Sequence, residues 1–216
     1  MNRVRNRILV GLAALGLAGG LVVAVGTASK AASPECGSAC ISLASQEWGT
    51  GYVSAVKNGV SQTGQPILIS AAGPDTSEDF QLLNEGTVLN ACTIDAGLLP
   101  SEVCDTWPDN QLFEYQYNPG GVPSGLCLGT AAAAANGTEV SLQACGVDAT
   151  TLWIPLTIDT ISGVEPLIAG TDVEVNTPYV LTAPGTVGDH LTTHRFDLVG
   201  GTFNPSDMWQ VLTGVL

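Results

Sequence analysis

Aromatic and acidic side chains lie close together in one stretch of this sequence, between residues 86 and 117. Trp107, Tyr115 and Tyr117 fall within eleven residues, and several Asp and Glu residues surround them. A flat apolar face beside carboxylate acceptors suits the stacking and hydrogen bonding of a sugar ring, so these three are candidate ligand-binding residues. The alternative is that Phe113, Tyr115 and Tyr117 form the inward face of a strand, and their every-second-residue spacing favours it.

Side chains suited to catalysis form no recognisable motif. His190 and His194 are four residues apart, but Leu191 stands where a zinc protease motif has glutamate. Thr192 and Thr193 favour a strand, in which side chains four residues apart are separated by about 13 Å. The sequence has no G-x-S-x-G elbow, phosphate-binding loop, dinucleotide fingerprint or EF-hand loop. We therefore predict no enzymatic activity, no metal site and no cofactor.

The beginning of the chain indicates export. Three arginines precede an uncharged run over 8–25, and Ser29 and Ala31 supply the small residues of a cleavage site, so 1–31 is predicted to be a signal peptide. The alternative is an uncleaved membrane anchor, because the run approaches the length that spans a bilayer. The four glycines in the run and the cleavage-type residues favour removal. We predict a secreted, extracellular protein.

All six cysteines lie beyond residue 31. Six cysteines in an exported chain indicate disulfides, with fifteen possible sets of pairs. The absence of a C-x-x-C pair argues against a metal site. The spacing favours three local bridges: Cys36 with Cys40, Cys92 with Cys104, and Cys127 with Cys145.

The charge balance narrows the range of partners. Beyond residue 31 the chain has two basic residues, Lys57 and Arg195, against 20 acidic ones, a formal net charge of −18. Such a surface repels phosphate backbones and anionic lipid. We predict no nucleic-acid partner and, after signal cleavage, no membrane contact. The 45% hydrophobic and 12% charged composition nevertheless indicates a packed domain.

An internal repeat organises the rest of the chain. Short apolar runs between Gly, Pro, Asn and Asp clusters are typical of an all-β protein. A shift of 73 residues superposes Phe80 on Trp153, and a further 56 residues superposes Trp153 on Trp209. Each unit has an apolar strand, a polar loop, a second strand, a turn and one large aromatic. We predict that these three rings are buried around an approximate threefold axis.

The second repeat carries the most complete pattern. Cys127 and Leu128 form a Cys-Leu pair, residues 137–142 read Gly-Thr-Glu-Val-Ser-Leu, and Trp153 follows Cys145 by eight residues. This pattern resembles a subdomain of the ricin B-type (R-type lectin) β-trefoils. The mature chain also resembles a group of small secreted actinobacterial proteins. The resemblance implies a six-stranded barrel capped by three hairpins, with an intra-subdomain bridge from Cys127 to Cys145.

We therefore predict an all-β chain with a signal peptide at 1–31 and an N-terminal segment at 32–49 that contains Cys36 and Cys40. A β-trefoil follows at 50–216. Residues 86–110 form an insertion that is interpreted either as a disulfide-pinned acidic loop or as a recognition loop. The repeats are placed at about 50–85, 111–158 and 176–216.

The sugar-binding residues that the resemblance implies are missing from this sequence. R-type lectins use an Asp after the Cys-Leu pair, but Val56 and Gly129 stand there in the first two repeats. The residues near the aromatic platform are Ser70, Gln143 and Val199, and those at the Asn are Ser77, Thr150 and Ser206. At the Gln of Gln-x-Trp the residues are Glu78, Thr151 and Asp207.

These substitutions separate the fold from the usual lectin chemistry. We predict a secreted, non-enzymatic binding module, carbohydrate-binding with degenerate or relocated sites, whose partner is a polysaccharide. The alternative is an extracellular protein-interaction or inhibitor protein on the same scaffold, whose partner is another protein.

Overall fold

The computed structural model describes residues 40–146, 148–156, 163–174, 176–196 and 203–213. The predicted signal peptide, Cys36 and Val199 lie outside these residues. The described part contains thirteen strands and two short helices. The strands are β1 (Ile41–Ser45), β2 (Tyr52–Val56), β3 (Ile67–Ala71), β4 (Phe80–Thr87), β5 (Gln111–Tyr117), β6 (Leu126–Thr130), β7 (Thr138–Ala144), β8 (Trp153–Pro155), β9 (Val164–Glu165), β10 (Leu167–Ala169), β11 (Tyr179–Thr182), β12 (Thr192–Arg195) and β13 (Trp209–Thr213). The helices are α1 (Val88–Ile94) and α2 (Ser101–Thr106).

Six strand positions close into a barrel. β1 pairs with β4, β4 with β5, β5 with β8, and β8 with β10, all antiparallel. β9 pairs with β13, and β13 pairs with β1 over its whole length. Pro166 alone separates β9 from β10, because proline has no N–H to donate to a ladder. β9 and β10 together therefore fill the sixth position of the barrel.

Three hairpins cap the barrel: β2–β3, β6–β7 and β11–β12. Backbone hydrogen bonds join each hairpin region to the next. The N–H groups of Gly64, Gly137 and Gly188 donate respectively to the carbonyls of Leu142 at 2.7 Å, Thr193 at 2.8 Å and Ile69 at 2.8 Å. A six-stranded barrel with a ring of three hairpins is a β-trefoil, so the fold predicted from the ricin B-type resemblance is confirmed.

The three repeat aromatics are core residues, as predicted. Phe80 and Trp153 have no exposed surface and Trp209 is 1% exposed. Trp153 Nε1–H donates to the carbonyl of Leu128 at 2.9 Å, and Trp209 Nε1–H donates to that of Leu181 at 2.8 Å. The two indoles thus fasten equivalent hairpin strands to the barrel. The first repeat lacks this bond because phenylalanine has no N–H.

A short 3₁₀ turn precedes each of these aromatics, at Thr76–Glu78, Ala149–Thr151 and Pro205–Asp207. A side-chain oxygen caps each turn, which satisfies an otherwise free N–H at the turn's start. The capping pairs are Asp75 with the N–H of Ser77, Asp148 with that of Thr150, and Asn204 with that of Ser206. The same local chemistry therefore positions all three core aromatics.

Two features differ from the sequence-based prediction. β1 lies inside the segment 32–49, which was placed ahead of the trefoil, although it pairs with β2, β4 and β13 as a barrel strand. The insertion 86–110 is largely helical rather than a loop, since α1 and α2 lie within it. Both helices pack their buried residues, with Leu112 of β5, into a second hydrophobic cluster. β5 is consequently covered on both faces.

Two of the predicted disulfides are confirmed, Cys92–Cys104 between α1 and α2 and Cys127–Cys145 between β6 and the end of β7. Cys40 is disulfide-bonded as well, and its predicted partner Cys36 lies outside the described residues. Among the described helices, none is long and apolar enough to cross a membrane.

Candidate functional site

The aromatic residues predicted to bind a ligand are buried instead. Trp107 is 6% exposed and belongs to the second cluster, while Tyr115 and Tyr117 are 1% and 0% exposed in the main core. The Tyr117 hydroxyl donates to the Gly59 carbonyl at 3.2 Å. These rings offer no face to a ligand in solvent, so the alternative, an inward strand face, describes Tyr115 and Tyr117 correctly.

The positions equivalent to the lectin aspartate are all buried. Val56 is buried at 1% exposure. At Gly129, a Cβ atom would lie 2.7 Å from the Thr150 carbonyl oxygen, closer than such contacts allow. In the third repeat Thr182 stands at this position, and its hydroxyl donates to Asp207 Oδ1 at 2.8 Å. Thr182 could not be identified from the sequence, because the third repeat is the least similar to the ricin B-type pattern.

The residues at the Gln-x-Trp glutamine position make internal hydrogen bonds. Both Glu78 carboxylate oxygens accept from the N–H of Gly73, at 3.1 and 3.2 Å. The Thr151 hydroxyl donates to Glu114, and Asp207 accepts from Thr182. All three side chains are buried. Each former sugar position therefore serves the fold.

A hollow beside β5 and β8 has the residue types that the family positions lack. Its volume is about 330 Å³, and we call it the Phe113 hollow. It is lined by the ring of Phe113, the carboxylates of Asp109 and Glu165, the carboxamides of Asn110 and Gln111, and Pro155. Phe113 is partly exposed and packs against the main core. The hollow thus combines one accessible aromatic ring with hydrogen-bonding groups.

The strands and the insertion fix the geometry of this hollow. Phe113 lies opposite Trp153 in the β5–β8 pairing. Asn110 Nδ2 donates to the Pro155 carbonyl at 3.3 Å, and the backbone carbonyl of Asn110 accepts from the N–H of Val88. Gln111 Oε1 accepts from Asn84 at 3.3 Å. The insertion therefore ends in a braced loop that brings three polar residues to the start of β5.

The electrostatics of the hollow are acidic. Asp109 and Glu165 both line it, and no lysine, arginine or histidine does. Tyr115, on the same strand as Phe113, is buried, and burial together with the charge of Glu165 raises the pKa of its hydroxyl. Tyr115 therefore stays protonated as a core residue. The hollow offers acceptors for hydroxyl or other donor groups.

The histidines and the cysteine-containing cluster show no catalytic arrangement among the described residues. His190 Nδ1 lies 3.0 Å from Glu139 in a partly exposed pair, and His194 lies on β12, opposite Val180. Glu114, Cys127 and Cys145 are close enough to share an ion, but the two cysteines form a disulfide and supply no thiolate. The sequence could have indicated Phe113 through its position next to Asp109, Asn110 and Gln111.

No protein-family model matches this chain, and no curated protein shows a significant match. Solved structures do match. ThreeFoil, a designed threefold-symmetric protein, aligns with a TM-score of 0.55 and 13% identity over 81% of this chain and 98% of its own. An exo-β-1,3-galactanase from Clostridium thermocellum aligns with a TM-score of 0.53 and 11% identity, over 81% of this chain and 30% of the enzyme.

A lectin from Polyporus squamosus, solved with the glycan epitope Neu5Aca2-6Galb1-4GlcNAc, aligns with a TM-score of 0.50 and 14% identity. The alignment covers 82% of this chain and 49% of the lectin. The chain thus spans less than a third of the galactanase and about half of the lectin. Identities this low show the β-trefoil fold alone.

Proposed function

We propose that this protein is a secreted, non-enzymatic carbohydrate-binding module that holds a saccharide of a polysaccharide in the Phe113 hollow. The observation that carries the proposal is the partly exposed ring of Phe113 among two carboxylates and two carboxamides. A sugar has apolar C–H faces that stack on a ring and hydroxyls that donate to carboxylates and exchange hydrogen bonds with amides.

The other potential sugar sites support this choice by exclusion. The lectin-type positions hold buried, internally bonded residues such as Glu78, Thr151 and Asp207. The Phe113 hollow is built by β5, β8, β9 and the end of the insertion, and none of its lining residues stands at a lectin-type sugar position. A relocated site therefore reconciles the fold with the substituted residues. Fold likeness to a lectin and a galactanase is consistent with this function and does not carry it.

The non-enzymatic part of the proposal has its own support. Glycoside hydrolysis uses an acid and a second carboxylate on opposite sides of the scissile bond, with the acid's pKa raised. Of the two carboxylates in the hollow, Asp109 is exposed on the surface, which favours a role as a hydrogen-bond acceptor. Secretion is supported by the predicted signal peptide and by the two disulfides in the described chain.

The experiment is a glycan and polysaccharide binding screen, followed by chemical-shift titration of the strongest hit. Phe113→Ala should weaken binding by about fivefold or more, because one stacked ring contributes on the order of 1 kcal/mol or more. Phe203→Ala is the matched control, since Phe203 is 46% exposed and stacks on Phe196 outside the hollow. Asp109→Asn, on the surface, provides a second variant that leaves the core intact.

Retained affinity in both Phe113→Ala and Asp109→Asn would contradict the proposal. Shifts centred on Gly129 and Thr150 would contradict it too, because they would place the sugar at the family position. Absence of any binding glycan across the screen would remove the carbohydrate function.

A second candidate, a protein-interaction role, is favoured by the exposed apolar residues of α1. Leu89 is 52% exposed and Ile94 is 86% exposed, so neither side chain is fully covered by packing within the chain. The experiment is recovery of a partner from culture supernatant with the wild-type chain and with Ile94→Ser. A partner lost with Ile94→Ser and kept with Phe113→Ala would support this candidate over the first.

A further inference from the structure

A second cavity lies between the helical insertion and the trefoil, and we call it the insertion cavity. Its volume is about 200 Å³. Its apolar wall includes Leu98, which follows α1, Leu112 of β5, and Leu152, which precedes β8. The wall is thus the outer edge of the second hydrophobic cluster. A ligand that fills this cavity gains free energy by placing an apolar segment against this wall.

Four carboxylates also line the cavity: Glu85, Asp95, Glu114 and Asp148. No lysine, arginine or histidine lines it. Within the described chain, neither Glu85 nor Asp95 makes a side-chain hydrogen bond. Burial raises the pKa of Glu85, and the charge of Glu114 raises it further. The cavity therefore concentrates negative charge that no protein cation balances.

Glu114 is the most informative of the four. It is 2% exposed, and one oxygen, Oε1, accepts both the Gly146 N–H, at 2.7 Å, and the Thr151 hydroxyl. The other oxygen, Oε2, accepts no hydrogen bond from any residue that the structure describes. A buried carboxylate is costly unless its oxygens are paired. Because Glu114 lines the cavity, a ligand donor there would complete its hydrogen bonding.

The combination of walls and charges defines the class of ligand. Ca²⁺ takes six to eight oxygen ligands, and the leucine wall supplies none. A neutral apolar molecule would cover the apolar wall and bring no donor to Glu114 Oε2. A primary ammonium on an aliphatic chain meets both requirements, with a chain for the leucines and three N–H donors for the carboxylates.

We propose that the insertion cavity binds an aliphatic ammonium group, as carried by a lysine side chain or a polyamine, with the ammonium donating to Glu114. This site is separate from the Phe113 hollow and does not depend on carbohydrate binding. Glu85 and Asp148 lie around the same cavity and attract the cation. The exposed Ile94 also lines the cavity and extends its apolar surface.

The experiment is a chemical-shift titration of the full mature chain with n-pentylammonium at neutral pH. The amides of Leu112, Gly146 and Asp148 should shift with saturation, and that of Glu165, which lines the Phe113 hollow, should stay unmoved. Pentanol has the same chain without the charge, and Ca²⁺ has charge without the chain. We expect each to bind at least about tenfold more weakly, because pentanol lacks the positive charge and two of the three donors, and Ca²⁺ lacks the apolar chain.

Variants distinguish binding in the insertion cavity from general attraction of the cation to surface charge. Glu114→Gln should lower pentylammonium affinity at least about tenfold, while Glu102→Gln, an exposed carboxylate on α2, makes the same charge change and should leave it unaltered. Glu85→Gln is an exposed substitution that leaves the core intact and should also weaken binding. Equal affinity for pentanol, tighter Ca²⁺ binding at these amides, or unchanged affinity in Glu114→Gln and Glu85→Gln would each overturn the proposal.

Two further arms identify the source of the ammonium. Cadaverine represents polyamines, and N-acetyl-lysine methylamide represents a lysine of a partner protein. Tighter binding of cadaverine supports a small-molecule ligand, and tighter binding of the lysine derivative supports a protein partner. Binding of neither, together with no pentylammonium binding, would refute the site.

Discussion

Replacing Glu78 with glutamine should stabilise the protein at neutral and alkaline pH. Glu78 is 3% exposed, and only the N–H of Gly73 donates to its carboxylate among the described residues. Burial, and to a smaller extent the charges of Asp75 and Asp79, raise its pKa from 4.5 to about 7, against the lowering effect of the Gly73 hydrogen bond. The folded chain therefore carries an ionised carboxylate at pH 8 in a place that disfavours it.

The sign of the pH dependence follows from proton binding. Between pH 4.5 and about 7, folded Glu78 keeps a proton that the unfolded chain has released, so stability falls as pH rises through this window. The full shift corresponds to at most about 3 kcal/mol at pH 8. Below pH 4.5 both states are protonated and the penalty vanishes. Glutamine keeps an amide oxygen for Gly73 and has no charge, so it removes the penalty.

Urea unfolding at pH 4 and pH 8 measures this effect. Glu78→Gln should raise the free energy of unfolding by up to about 3 kcal/mol at pH 8 and by little at pH 4. Glu102→Gln is the control, because it makes the same change in net charge at an exposed position. Equal effects of Glu78→Gln at both pH values would refute the reasoning, as would a gain no larger than that of Glu102→Gln.

Three other outcomes are expected. Trp153→Ala should cost about 3–5 kcal/mol in urea unfolding, and a cost below about 1 kcal/mol would contradict its role as a core aromatic. Replacing Cys92 and Cys104 with serine should speed hydrogen exchange in α1 and α2 and leave that of β11 unchanged, because the disulfide joins the two helices. Uniform acceleration of exchange across the chain would contradict this, because it would show that the disulfide supports the whole fold. Galactose at millimolar concentration should leave the Gly129 amide unshifted, since no side chain fits there, and a saturable shift would show that the family site is intact.

The repeat architecture was predictable because its determinants are local in sequence. The spacing from Phe80 to Trp153 to Trp209 follows from a four-strand unit used three times, and each aromatic has its own capped turn before it. The Cys127–Cys145 bridge lies within one unit. Such features survive when identity to known structures falls as low as 11%, because core size and turn chemistry constrain a few residues strongly.

The insertion helices could not be predicted in the same way. α1 has seven residues and α2 has six, and helices this short are not stable through their own propensity. Their stability comes from packing Val88 and Val103 into the second cluster and from the Cys92–Cys104 bridge. Those contacts are tertiary, so the local sequence does not reveal the helices.

The aromatic side chains of β5 show a different limit. Every-second-residue spacing correctly predicts that Phe113, Tyr115 and Tyr117 lie on one face of the strand. It does not predict at which residue along the strand that face becomes exposed. Phe113 is partly exposed because it is near the start of the strand, beside the braced loop at Asn110. Exposure at a barrel end depends on strand length and on the neighbouring strand β8, which the sequence does not specify.

The pairing of β1 with β13 has a kinetic consequence. Ile41 lies opposite Thr213 and Ser45 opposite Trp209, so the barrel closes only when two distant parts of the chain meet. Non-local pairing of this kind slows folding, because the entropy of a large loop is lost before the strands gain their hydrogen bonds. Until then β1 and β13 present unpaired edges to other chains. Refolding yield should therefore fall as protein concentration rises, with edge-to-edge association competing against closure.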